Sequence, residues 1–346
     1  MFLPLDRTLI IAEAGINHDG NIDNAKEMVN VAAEAGADYV KFQSFIAEEL
    51  VLPKAERSSY IIEGSHEGEN FRDLLKRLEL SYEEQRELSA HCKTKKIKFL
   101  STAFDLKSLD FLCDEVGCDM IKVASADVTN LRFLEKVADK NLPVILSTGM
   151  ADIFEIDMAL ETLNKYGARE IVILHCVSWY PSPAELINLR AMWTLRDRYG
   201  LPVGFSDHSL GVELPAAAVA MGARCIEKHF SLDPTAFGPD HKASLSSEQL
   251  VGMVNTIRLI EKALGTGGKQ PSDISKVELS QRKVHRRSIV TREAIQVGEE
   301  FTEDNIDIKR PGTGIEPRRF KEIIGKKAVK NIPPEVLLKE NDIGLK

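Results

Sequence analysis

Eight short apolar runs, each followed by a stretch of helical periodicity, constrain this chain more than any other feature in it. The runs fall at 8–15, 39–45, 98–104, 120–128, 143–150, 170–178, 202–209 and 225–232. Apolar runs alternating with amphipathic helices build parallel sheets covered by helices. Eight such units match the strand count of a (β/α)8 TIM barrel, whose usual size is about 250 residues. A doubly wound open sheet is the competing arrangement. Several helix ends are readable. Ser81 with Glu84, Asp152 with Glu155 and Ser246 with Gln249 have the spacing of a capping box. Ile22, Ala25, Val29, Ala32 and Ala33 form an apolar stripe that stops at Gly36. Residues 46–80 exceed an ordinary connection and contain a helical stretch, FRDLLKRLEL; they read as an elaborated loop or a lid.

The barrel reading covers residues 1–265. Residues 266–285 open within GTGGKQPSDIS (265–275), with the glycine, serine and proline of a linker. Residues 286–346 have their own pattern, with strand-like SIV and turn signals VGE and PGTG, and read as a small second domain. Collagen-like and disordered classes are excluded by a hydrophobic share of 43%. A net charge of −8 argues against a nucleic-acid binder, yet leaves room for a basic pocket that takes anions. The five cysteines are odd in number and form no CxxC, which favours a reducing cytoplasm over a disulfide framework or a structural zinc site. The first fifteen residues carry Asp6 and Arg7 between apolar pieces, unlike a signal peptide. No apolar run approaches the roughly 18 residues of a spanning helix, so no membrane association is expected.

In a barrel the chemistry sits at the C-terminal ends of the strands. Here those ends carry Glu13, Lys41 with Gln43, Lys122 with Ser125, Ser147, Ser178 with Tyr180, Ser206 with His208, and Glu227 with His229. A charge inside a strand is costly to bury unless it is paired or functional. Any one of these is explained by an ion pair; the set together is not. Two lysines and several serines facing one mouth form an anion cradle. His208 and His229 end neighbouring strands, which lie about 4.8 Å apart in a sheet. Two imidazoles so placed can share one divalent metal with positions left open for substrate. Other motifs are weak. GTGGK lacks a preceding strand, RKVHRR reads as a solvated hinge, and Cys176 should point away from its neighbour His175.

The motifs IAEAGINHDG, KFQSF, LSTGM, HCVSWYP, GFSDHS, IEKHF and GPDHKASL, in this order, resemble the NeuB-type sialic acid synthase family. The tail, from RRSIV through KRPGTG to IIGKKA, resembles that family's antifreeze-like (SAF) domain. The resemblance implies a (β/α)8 barrel that condenses phosphoenolpyruvate with the open-chain aldehyde of an N-acetylmannosamine-type sugar. The products are a nine-carbon 2-keto sugar acid and phosphate. Lys41, Lys122, Ser125, Ser147, Ser178 and Ser206 match positions that hold phosphoenolpyruvate. His208 and His229 match the ligands of a divalent metal, Mn2+ or Mg2+. Glu13 matches an acid near the reacting end of the sugar, and Glu227 is read as supporting the metal site. Gln43, Tyr180 and Asp240 match sugar contacts. The resemblance also implies a domain-swapped homodimer in which Arg310 reaches the partner's barrel. Where many members read SGE or SGD, this chain has Ser125-Ala126-Asp127; Ser178 replaces an asparagine found in some, and Phe237 alters the loop before GPD. These departures bear on substrate fit. The alternatives are an acceptor of the 2,4-diacetamido-trideoxy class, leading to legionaminic or pseudaminic acid, and a non-catalytic sugar- or phosphate-binding scaffold.

Overall fold

The computed structural model describes residues 3, 4 and 7–344; Asp6 and the last two residues of the tail lie outside them. The chain divides into two compact units, Met1–Gly265 and Thr266–Lys346.

The first unit is a closed barrel of eight parallel strands: β1 (Leu9–Gly15), β2 (Tyr39–Ser44), β3 (Lys98–Ala103), β4 (Ile121–Val123), β5 (Val144–Ser147), β6 (Ile171–Cys176), β7 (Val203–Asp207) and β8 (Cys225–His229). β8 pairs with β1, which closes the ring and rules out the open sheet. Strand alternation explains its layering. In β1, Ile10, Ala12 and Ala14 face the surrounding helices, whereas Leu9 and Ile11 join Tyr39, Leu100, Ile145 and Leu174 in the barrel interior. One step further along the same inward face stands Glu13, and its neighbours across the ladder are Lys41 and His229. The apolar lower layers thus close the barrel, and the polar upper layer forms the floor of its C-terminal mouth.

The strands are shorter than their apolar runs. β4 ends at Val123 because the chain turns into a single 3-10 turn, Ser125–Asp127. Ser125, Ser178 and His208 therefore sit on loops just past strand ends, free of the ladder. Helix starts obey the local signals. Asn21 caps α1 (Ile22–Ala35) by accepting from the Asp23 and Asn24 amides, and Gly36 ends it in the left-handed conformation. All three expected capping boxes are formed, at Ser81, Asp152 and Ser246. The segment after β2 folds into three short helices, α2 (Ala47–Leu50), α3 (Ser59–Glu63) and α4 (Phe71–Leu78), ahead of α5 (Tyr82–Lys95). Among the described residues, no helix is long and apolar enough to cross a membrane.

The second unit has a core of its own, including Ile289, Ile295, Phe301, Ile306, Ile323 and Leu338. An antiparallel pair, β9 (Ser288–Thr291) and β10 (Ile306–Lys309), runs through it. Lys276–His285, inside the stretch read as a linker, forms an α-helix whose N-cap is Ser275. Arg310 follows β10 and is exposed.

Candidate active site

A cavity of about 460 Å³ opens at the C-terminal mouth of the barrel. Its floor holds two buried lysines. Lys41 Nζ lies 2.7 Å from Glu13 Oε2 and donates to Thr102 Oγ1 at 2.8 Å. Lys122 Nζ donates to Ser147 Oγ at 2.7 Å and to the Val123 carbonyl at 3.1 Å. Glu227 lies between them, 3.7 Å from Lys41 Nζ and 3.6 Å from Lys122 Nζ, and accepts from Ser206 Oγ at 3.0 Å. Burial opposes ionisation of Glu227, but the two ammonium groups outweigh it and hold the carboxyl below its ordinary range. Glu227, read from the sequence as a support for the metal site, is in the structure the counter-ion of the lysine pair. Strand alternation keeps it inward, and barrel closure brings β2, β4 and β8 around one centre.

Glu13 behaves differently. Burial raises its carboxyl to about 7, against the pull of Lys41 and with the push of Glu227. A carboxyl near 7 is suited to proton transfer at neutral pH.

Beside Lys122 the hydroxyls form an arc. Ser125 Oγ accepts from the Gly149 amide at 2.9 Å and hydrogen-bonds the Cys176 side chain. A Cβ at position 149 would overlap Ser178 Oγ, forcing that side chain to rotate, and would come within 3.0 Å of Ser125 Oγ and 3.1 Å of Cys176 Sγ. The backbone thereby approaches the arc closely enough to form one side of an anion cradle.

His208 and His229 face each other with ring centroids 5.4 Å apart. His229 Nδ1 is buried, makes no hydrogen bond, and lies 3.8 Å from Asp240 Oδ2. Burial, then the charges of His208 and Lys41, hold His229 well below its ordinary range, so the ring is neutral and keeps a lone pair. His208 Nδ1 lies 2.8 Å from the Val177 carbonyl, which assigns the proton there and leaves Nε2 free. Burial also pulls His208 down, but the Cys176 sulfur at 3.8 Å and that carbonyl outweigh it, so a metal must displace a proton from this ring. An orphaned buried nitrogen beside a second imidazole fits a divalent cation held by two protein ligands. Among the described residues no cluster of three or more His, Cys, Asp or Glu is arranged for a metal.

Gln43, Tyr180 and Asp240 line the same cavity, and burial raises the Asp240 carboxyl to about 6. Every expected site residue of the barrel is therefore brought to one chamber, while Arg310 belongs to the second unit. Among the lining residues not expected from the sequence are Thr102 and Tyr60, and Cys176, read only as turned away from His175, also faces the cavity. Counting by twos from Leu100 or Leu174 would have found Thr102 and Cys176. Tyr60 belongs to α3, and its ring stacks on Tyr180. His175 points away, as expected, with Nε2 against the Ile187 carbonyl.

The segment carrying Tyr60 is docked. Gly64 packs so tightly on Pro239 that a Cβ would overlap the proline nitrogen, Glu63 pairs with Lys242 at 2.9 Å, and His66 stacks on Phe237. Residues 46–80 are thus a covering element over the mouth rather than an excursion away from it.

The NeuB family model matches residues 28–269, and that of the SAF domain matches residues 286–344. An N,N'-diacetyllegionaminic acid synthase of Campylobacter jejuni is 44% identical over 97% of this chain and 100% of its own length. A second, from Legionella pneumophila, is 43% identical over 93% of this chain and 91% of its own. Among solved structures, an N-acetylneuraminic acid (sialic acid) synthetase of Leptospira borgpetersenii, in complex with citrate, aligns with a TM-score of 0.70 and 37% identity. It covers 80% of this chain and 90% of that one.

Proposed function

The chain belongs to the NeuB family, and from that premise we propose that it condenses phosphoenolpyruvate with a 2,4-diacetamido-trideoxy sugar of the legionaminic series. The observation that carries the reading is one chamber holding two buried lysines, an arc of serine hydroxyls, a poised carboxyl and a facing histidine pair. The two legionaminic acid synthases support this acceptor over N-acetylmannosamine.

Lys122, Ser125, Ser147 and Ser178 bind the phosphate and carboxylate of the donor, with Lys41 and Ser206 completing the positive floor. Glu227 favours the charged form of both lysines, against the burial that still lowers Lys122. The donor's terminal carbon attacks the acceptor aldehyde carbon. Water adds at the donor's C2, and phosphate leaves by C–O cleavage. Glu13, half protonated at neutral pH, delivers a proton to the aldehyde oxygen as the new bond forms. Gln43, Tyr180 and Asp240 orient the sugar. A divalent metal, Mn2+ or Mg2+, held by His208 and His229 would polarise the aldehyde.

In this reading the SAF domain serves a homodimer, with Arg310 of each chain completing the partner's site. Mixing Arg310→Ala with Glu13→Ala chains under subunit exchange should restore activity; no recovery after demonstrated exchange rejects the swap. The five free thiols support a reducing compartment, the cytoplasm. The central test is phosphate release from phosphoenolpyruvate across a panel of acceptors, with and without chelator. The diacetamido-trideoxy acceptor should give the highest kcat/KM and chelator should abolish turnover. Full activity in chelator, or release independent of acceptor, overturns the reading.

A further inference from the structure

One buried ion pair stands outside the chamber. Lys228 Nζ lies 2.6 Å from Asp207 Oδ2, and both side chains are fully buried. The two residues are cross-strand partners in the β7–β8 ladder. They point away from the cavity, whose lining takes Ser206, Glu227 and His229 from the same strands but neither member of the pair. Burying two charges carries a desolvation cost that apolar side chains of similar volume avoid. Closing the barrel does not require it: two residues earlier on the same outward face stand Phe205 and Ile226, which belong to the apolar core.

What the pair holds is the turn that carries His208. β7 ends at Asp207, and the amide and carbonyl of Ser209 need partners outside the regular ladder. Asp207 Oδ1 accepts from the Ser209 amide at 2.8 Å, and Lys228 Nζ donates to the Ser209 carbonyl. His208 is therefore bracketed by two residues that both bond to Lys228, and Lys228 immediately precedes His229. From the β6 side the same turn is steadied by the Ser182 amide, which donates to the His208 carbonyl at 2.8 Å. The Lys228 bonds join the turn bearing one imidazole to the strand bearing the other.

We infer that Lys228 and Asp207 are positioning residues for the divalent metal: the pair ties the His208 turn to β8 and so sets the 5.4 Å spacing of the two rings. The inference rests on the metal reading above and adds to it the groups that hold the two ligands in register. A turn released from Lys228 would sample other ring spacings, and metal affinity would fall. Losing a group that orients a metal ligand costs about 10- to 100-fold in affinity.

The test uses the full-length protein and Mn2+ alone, without substrates. Binding is read from loss of the free-ion signal in electron paramagnetic resonance, and folding from thermal melts in chelator. The parent should bind Mn2+, and His229→Ala should abolish binding. Lys228→Met or Asp207→Leu alone leaves a buried charge unpaired and should lower Tm. Asp207→Leu combined with Lys228→Met replaces the pair by apolar groups and should melt like the parent, yet its Kd for Mn2+ should be about 10- to 100-fold higher. A pair that serves folding alone would recover Tm and affinity together, and that result overturns the inference while leaving the metal reading intact. If the combined variant does not fold, Lys228→Gln, whose shorter side chain cannot bridge Asp207 and the Ser209 carbonyl, decides by the same criterion: a Kd equal to that of the parent overturns the inference. A parent that binds no Mn2+, or a His229→Ala variant that binds it as tightly as the parent, overturns the metal reading and this inference with it.

Discussion

Tyr60 of the covering segment stacks on Tyr180 of the barrel mouth at a centroid distance of 4.7 Å, and Tyr180 in turn lies 4.0 Å from the His208 ring. A single file of rings therefore joins the cover to the candidate metal ligands. An aromatic pair contributes about 0.5–1.5 kcal/mol beyond its buried area. Tyr60→Ala should raise the acceptor KM by roughly 2- to 10-fold. In a double-mutant cycle with Tyr180→Ala the two effects should be non-additive, because they remove one contact. Additive effects in steady-state kinetics would show that the stack does not serve acceptor binding.

Glu13 and Lys41 form a buried pair in which the carboxyl is raised to about 7. Glu13→Gln retains a hydrogen-bonding shape but cannot transfer a proton. It should lower kcat about 10²- to 10⁴-fold and remove an ionisation near pH 7 from the rate profile. A profile that keeps this ionisation in the variant assigns it to another group.

Gly149→Ala adds one methyl against Ser178 Oγ. The serine has to rotate away from the cradle, so KM for phosphoenolpyruvate should rise about tenfold, the scale of one charge-assisted hydrogen bond. Gly149→Ala combined with Ser178→Gly removes the overlap and should be no worse than Ser178→Gly alone, because both changes remove the same contact. If the pair is as poor as the sum of the singles, the effect arises from backbone shift.

His18 is buried beside the β1–α1 turn, its Nδ1 accepts from the Gly20 amide at 3.0 Å, and burial lowers its pKa to about 4. A folded value below the ordinary 6.5 means that the unfolded chain binds the proton more tightly. The group's contribution is complete above pH 6.5 and is lost as pH falls from 6.5 to 4. The full difference is on the order of 3 kcal/mol. In urea melts, His18→Gln should be the less stable form at pH 7.5, and the gap to the parent should close as pH falls to 4. A gap that is constant with pH would mean that His18 matters through packing alone.

The parts of this protein legible in its residues are those set by local periodicity. Period-two alternation places Lys41 with Gln43, and Glu227 with His229, on one strand face, and that face is the cavity floor. Capping is equally local, which is why Ser81, Asp152 and Ser246 start helices where their spacing says. The helix Lys276–His285 carried a signal of the same kind, Ser275 accepting from the Glu278 amide, which the glycine-rich run before it obscured. Other properties exist only once the ring closes. Glu227 is a lysine counter-ion because closure sets β8 facing β2 and β4. Cys176 meets His208 because β6 and β7 are neighbours. The mouth is covered because Gly64 packs on Pro239 and Glu63 pairs with Lys242, docking a segment whose own sequence left a loop and a lid both open. Each depends on the distance between residues far apart in the chain, and that distance is a product of packing, which periodicity does not encode.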